Sequence, residues 1–145
     1  TKVRESDQTF IVRKSPVQII DYSLNCIGFD LKGALRAAKL LLNLDKKYML
    51  PVLVNHIKEI VLFPTHSMKN EKNIWLNPKH IKKTFSEKRN TLVYFSNGET
   101  TIIEKRQIYF NSHFQTAMQY LENIIENAKN PSLLPYDPDL FRKRW

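Results

Sequence analysis

Ile60-Val-Leu-Phe-Pro-Thr-His-Ser67 reads as an apolar strand that stops at Pro64 and opens into a polar, basic loop over residues 66–73. Its partner in the reading is Val93-Tyr-Phe-Ser-Asn-Gly98, a strand running into an Asn-Gly turn, with a further strand over 100–104 on the far side. Asn-Gly is the favoured type I′ pair, because both central positions need positive φ. Between these landmarks, residues 61–90 hold seven Lys/Arg against two Glu, a local excess of +5. A β scaffold that concentrates positive charge in one region suits a polyanion.

Working outward, residues 9–13 and 17–22 (V-Q-I-I-D-Y) predict two short strands, the second entered through Ser15-Pro16. Asp30 caps a predicted helix over 31–43, with Leu31, Ala34, Leu35, Ala38, Leu41 and Leu42 on one face. Lys32, Arg36 and Lys39 share the opposite face. Residues 51–55 and 59–63 predict a hairpin, and 74–76 a short strand. Pro78 suits a helical turn, while Ile81 and Phe85 fit either period, so 78–85 stays open between helix and strand. A last helix is expected over 112–129, capped by Asn111 or Ser112. Phe114, Ala117, Met118, Leu121, Ile124, Ile125 and Ala128 form its apolar stripe, and Asn130-Pro131 ends it. The expected fold class is α+β: antiparallel strands and hairpins with a central helix and a C-terminal amphipathic helix.

The 145 residues suit one domain, with 135–145 as a flexible basic tail carrying Arg142-Lys143-Arg144. At 42% hydrophobic residues, with eight Phe, six Tyr and two Trp, the chain can bury a real core. The net charge of +9 is uneven: residues 31–60 carry +4 and 61–90 carry +5, while 91–130 carry −1. The lone Cys26, in an apolar stretch, reads as a small buried hydrophobe and leaves no disulfide framework, which fits a reducing, cytoplasmic setting. No apolar run is long enough to span a bilayer, since residues 40–44 are interrupted by Asn43. The polar N-terminus shows no signal peptide, and the missing initiator Met fits a trimmed chain.

The chemistry of catalysis is absent from the sequence. His56, His66, His80 and His113 lack ligand spacing, there is no CxxC, and no glycine-rich phosphate loop occurs, so no metal site and no cofactor is expected. Asp45, Glu59, Glu71 and Glu87 are too sparse for a two-metal nuclease, and no enzyme is expected. The basic and polar residues remain. Ser67, Lys69, Asn70, Lys72 and Asn73 suit phosphates or the acceptors of an A·T minor groove, though the same residues also suit an ordinary solvated loop. Lys82, Lys83 and Arg89, with Lys79 and Lys88, form a second basic run beside Trp75 and Phe85. Lys32, Arg36 and Lys39 form a third group, either a groove-riding face or the solvated side of a core helix. Phe114, Met118, Leu121 and Ile125 are expected at a dimer interface, in the core, or in both. Two other readings stay open: a module docking an acidic partner through its basic face, and a single-strand or RNA binder using Trp75, Tyr94 and Tyr109 as stacking platforms.

Several segments carry a resemblance: S-P-V-Q-I-I-D-Y-S (15–23), E-I-V-L-F-P-T-H-S (59–67), I-W-L-N (74–77), L-V-Y-F-S-N-G-E-T (92–100) and Y-F-N-S-H-F-Q-T-A (109–117). In order and approximate spacing they resemble the competence transcription factor (ComK) family of Gram-positive bacteria, over roughly residues 9–120. The resemblance implies an activator of DNA-uptake genes that binds double-stranded DNA at paired runs of A and T through the minor groove. It also implies a homodimer or dimer of dimers, a proteolytic adaptor as a further partner, and no membrane. The chain departs from the pattern in a short N-terminus, the lack of a long C-terminal extension, and a more helical, leucine-rich segment over 30–50.

Overall fold

A computed structural model describes residues 1–42 and 49–129. The elements are β1 (Lys2–Arg4), β2 (Thr9–Ile11), α1 (Pro16–Asn25), α2 (Leu31–Leu42), β3 (Val52–Asn55), β4 (Ile60–Pro64), β5 (Trp75–Leu76), β6 (Ile81–Glu87), β7 (Asn90–Phe95), β8 (Thr100–Ile103) and α3 (Gln107–Lys129), with a 3-10 turn at Pro78–His80. Every strand pairing is antiparallel. β1 and β2 form a small hairpin, β3-β4-β5 one sheet, and β6-β7-β8 another. The fold is α+β with a C-terminal helix. The tail over 135–145 and position 43 lie outside the described residues.

β4 is apolar without alternation because both its faces are covered. Val61 packs with Ala38, Leu50, Tyr120 and Leu121, between α2 and α3. Leu62 turns the other way, toward Ile20, Leu24, Leu31 and Val52, where α1 and α2 lie. Phe63 returns to the α3 side and joins Leu76, Val93, Ile103, Phe110 and Ala117, the cluster that binds the two larger sheets to α3. Its ring sits 5.9 Å from Phe110 and 6.2 Å from Phe114. Each such fully buried side chain contributes roughly 1.5–3 kcal/mol.

Four expectations are corrected. Residues 17–22 are helical, inside α1. Ser15 accepts the Gln18 amide and Gln18 Oε1 accepts the Ser15 amide, a capping box followed by Pro at the first helical position. Val17, Ile20 and Leu24 then meet the core at helical spacing. α3 begins at Gln107 rather than at 112, because Phe110 is fully buried and extends the stripe of Phe114, Ala117 and Leu121 back by one turn. Asn111 and Ser112 therefore lie within the helix and cap nothing. Cys26 is exposed, at the C-terminal cap of α1. The β7–β8 turn is not type I′: only Gly98 has positive φ, at 88°, while the Gly98 amide donates to the Phe95 carbonyl and the Phe95 amide to Glu99. That is a type I turn with a glycine bulge, the usual three-residue hairpin loop.

Asp30 caps α2 as expected, its Oδ1 accepting the Gly33 amide at 2.7 Å. A Cβ at position 33 would come within 2.9 Å of that oxygen, so a larger residue there would displace the Asp30 carboxylate. The open segment 78–85 resolves into the 3-10 turn and the start of β6.

Candidate nucleic-acid interface

The loop after β4 is built from its base outward. The Thr65 amide donates to the Ile74 carbonyl, and the Ile74 amide to Thr65 Oγ1, both at 2.9 Å. The His66 amide donates to Asn73 Oδ1 at 3.1 Å. The His66 ring lies between Thr65 Oγ1, 2.9 Å from Nδ1, and the Glu104 carbonyl, 3.0 Å from Nε2. A carbonyl only accepts, so the bond to Glu104 requires a hydrogen on Nε2. Two consecutive turns follow: Asn70 N donates to Ser67 O and Asn73 N to Asn70 O, with Asn70 Oδ1 accepting the Lys72 amide at 2.9 Å. Asn70 and Asn73 thus shape the loop with their side-chain oxygens. Ser67, Met68, Lys69, Glu71 and Lys72 are exposed at its tip. Lys72 pairs with Glu104 at 3.4 Å, both largely exposed, whereas Lys69 has no ion pair among the described residues.

Beneath the loop, burial lowers the Lys105 amine from its ordinary range. Burial lowers His113 as well, helped by the charges of Lys105 and His66.

The other expected site residues fall on different layers. Lys82 sits at a bulge in β6. Lys83 lies over the rings of Phe85 and Tyr94, 5.3 and 5.4 Å from their centroids. Arg89 is exposed at the β6–β7 turn beside Lys88, whose φ is 57°. Lys79 is engaged by Glu59 at 3.0 Å. Lys32 and Arg36 are exposed and Lys39 half-buried on α2, which packs in the clusters around β3 rather than on the third sheet. The three basic groups stand on different elements: the loop after β4, β6 with its turn, and α2.

Of the four residues expected at a dimer interface, Leu121 is buried in the protomer's own core, Phe114 packs on Phe63, and Ile125 packs beside Tyr120 and Val61; Met118 is half-buried. Trp75 is half-buried and packs in the cluster of Val52 and Leu62. Tyr109 is exposed.

Two basic residues outside the expected set, Lys2 and Arg4, line a groove of about 460 Å³ with Thr9, Gly98, Glu99 and Thr100. Arg4 Nη1 donates to the Thr100 carbonyl at 3.4 Å, and Asn97 Nδ2 to Ser6 O at 3.4 Å, so the N-terminal hairpin rests on the β7–β8 turn. Strands of three residues give too little periodicity for the sequence to reveal β1 and its cations. Among the described residues no three His, Cys, Asp or Glu side chains gather as a metal site, and no helix is long and apolar enough to cross a membrane.

Comparison with known proteins bears on this geometry. The family model for ComK protein matches residues 1–129. The competence transcription factor of Bacillus subtilis (strain 168) is 29% identical over 126 residues, covering 82% of this chain. The chain spans 65% of that relative's length. No solved structure matches. The two-turn loop after L-F-P, the glycine-bulged hairpin and the helix that backs them therefore lie within the matched span, and the chain belongs to the ComK protein family.

Proposed function

We propose that this chain is a sequence-specific DNA-binding activator that favours A·T-rich sites and controls DNA-uptake genes. In this reading two protomers, or two pairs of protomers, read paired half-sites in the cytoplasm. The observation that carries the reading is the loop over residues 66–73. Its base is fixed by four hydrogen bonds through Thr65, His66, Ile74 and Asn73, while its tip presents Ser67, Lys69 and Lys72. A rigid, narrow, cationic projection loses little entropy on entering a groove, and Lys beside small polar groups suits the acceptor-lined A·T minor groove. Family membership supports the same direction. Arg89 at the neighbouring turn and the α2 group supply phosphate contacts outside the groove.

Replacing Lys69 and Lys72 together with Ala tests the loop. Each phosphate contact contributes roughly 0.9 to the slope of log K against log salt. The double variant should bind more weakly and with a shallower slope; an unchanged slope would remove the loop from the interface.

A further inference from the structure

The sheet β6-β7-β8 has one covered face and one open one. α3 covers the inner face through Val93, Ile103 and Phe110. Side chains bond one carbonyl on each outer strand. Gln107 Nε2 donates to the Thr84 carbonyl of β6 at 3.2 Å, and Arg4 Nη1 to the Thr100 carbonyl of β8 at 3.4 Å. The outer face is accessible, with Phe85 and Ile102 exposed on it.

The register orders that face into three rows. Lys83, Tyr94 and Thr100 are opposite one another in the first row, and Phe85, Leu92 and Ile102 in the second. Glu87 and Asn90 make the third. Thr84 and Val93, the intervening pair, point inward. The Phe85 and Tyr94 rings meet edge to face at 5.4 Å, which confirms that these rows share a side. Phe85 is 46% exposed and Ile102 52%, an apolar row with nothing described above it. The face therefore runs along the strands from cation through apolar to carboxylate.

We infer that this face pairs with the same face of a second copy, about a two-fold axis lying along the middle row. That operation places Phe85, Leu92 and Ile102 against their own counterparts, and Lys83 over Glu87 of the second copy. A two-fold interface must be self-complementary in this way. Packed sheets lie about 10 Å apart, a gap that one lysine and one glutamate side chain bridge. A two-fold axis along the strands would instead set Lys83 over Thr100 and leave the charges unmatched. The apolar row is small beside a standard interface of about 800 Å² per partner, so the pair is weak and closes fully when DNA holds two protomers near each other. The inference rests on the proposed reading of paired half-sites and names the surface that pairs the protomers.

Sedimentation equilibrium over a concentration series without DNA, comparing wild type with Lys83→Glu, Glu87→Lys and the double exchange, tests it. The expected result is reversible dimerisation of the wild type, lost in each single variant and recovered in the double. Ile102→Ser, at an exposed position, should also lower dimerisation while binding to a single-site duplex matches the wild type. A monomeric wild type at every concentration would overturn the inference. So would a dimer indifferent to these changes, or one that the double exchange fails to recover. Single-site DNA binding is read separately, so a failure of DNA recognition is distinguishable from a failure of pairing.

Discussion

Asn73 Oδ1 accepts the amide of His66 at 3.1 Å, closing the loop across its base from seven residues away. Asn73 is half-buried and carries no charge, so in this structure it shapes the loop. Asn73→Ala should destabilise the fold by about 1 kcal/mol, the usual net value of such a bond. It should also weaken DNA binding without altering the salt slope, since no phosphate contact is removed. Thermal denaturation and anisotropy titrations across a salt series check both; a shallower slope would make Asn73 a direct contact instead.

Glu104 holds Lys72 at 3.4 Å on the flank of the loop. Both side chains are largely exposed, so the pair contributes little to stability. Glu104→Gln removes a negative charge beside the cationic tip and frees Lys72. DNA affinity should rise severalfold and the salt slope should steepen, with the melting temperature nearly unchanged. A fall in affinity would place Glu104 itself against DNA.

His113 gives the fold a pH dependence of definite sign. Burial, then the charges of Lys105 and His66, lower its affinity for a proton in the folded chain. The unfolded chain therefore binds more protons just below the ordinary histidine value of 6.5. Stability attributable to this group is complete above that value and is lost as pH falls through the lowered one. Urea unfolding at a series of pH values should show the decline, and His113→Gln should flatten it. An identical decline in the variant would assign the effect to other groups.

Ser15 sets the start of α1 through the capping box with Gln18. Ser15→Ala should cost about 1 kcal/mol, read as a lower urea midpoint with an unchanged m-value. Because α1 packs on Val52 and Leu62 rather than on the loop, DNA affinity should stay as it was.

Much of the architecture is legible in the sequence because pattern and burial coincide there. The unbroken apolar run of β4 reports two covered faces. The Asp30 cap and the stripe of α3 report local rules that the fold keeps, and the Asn-Gly pair marks the β7–β8 turn without fixing its type. The failures have physical causes as well. Val17, Ile19, Ile20 and Tyr22 favour a strand by propensity, yet the Ser15 cap and the spacing of Val17, Ile20 and Leu24 against the core favour the helix. Phe110 reads as a residue before a helix until its burial against Phe63 shows it to be within one. Of the candidate site, residue types were legible and their division of labour was not. Nothing in S-M-K-N-E-K-N distinguishes Lys69, at the tip, from Asn73, which ties the base, because that difference arises from the His66 amide and the Glu104 carbonyl meeting the loop in space.

The most direct measurement is fluorescence anisotropy of a labelled duplex bearing paired A and T runs, against a G·C-rich duplex and a single strand, across a salt series. The account predicts tight binding to the A·T duplex, a steep loss of affinity with salt, and much weaker binding to the other two. Equal, weak binding to all three would contradict it and would point the basic surface toward an acidic protein partner.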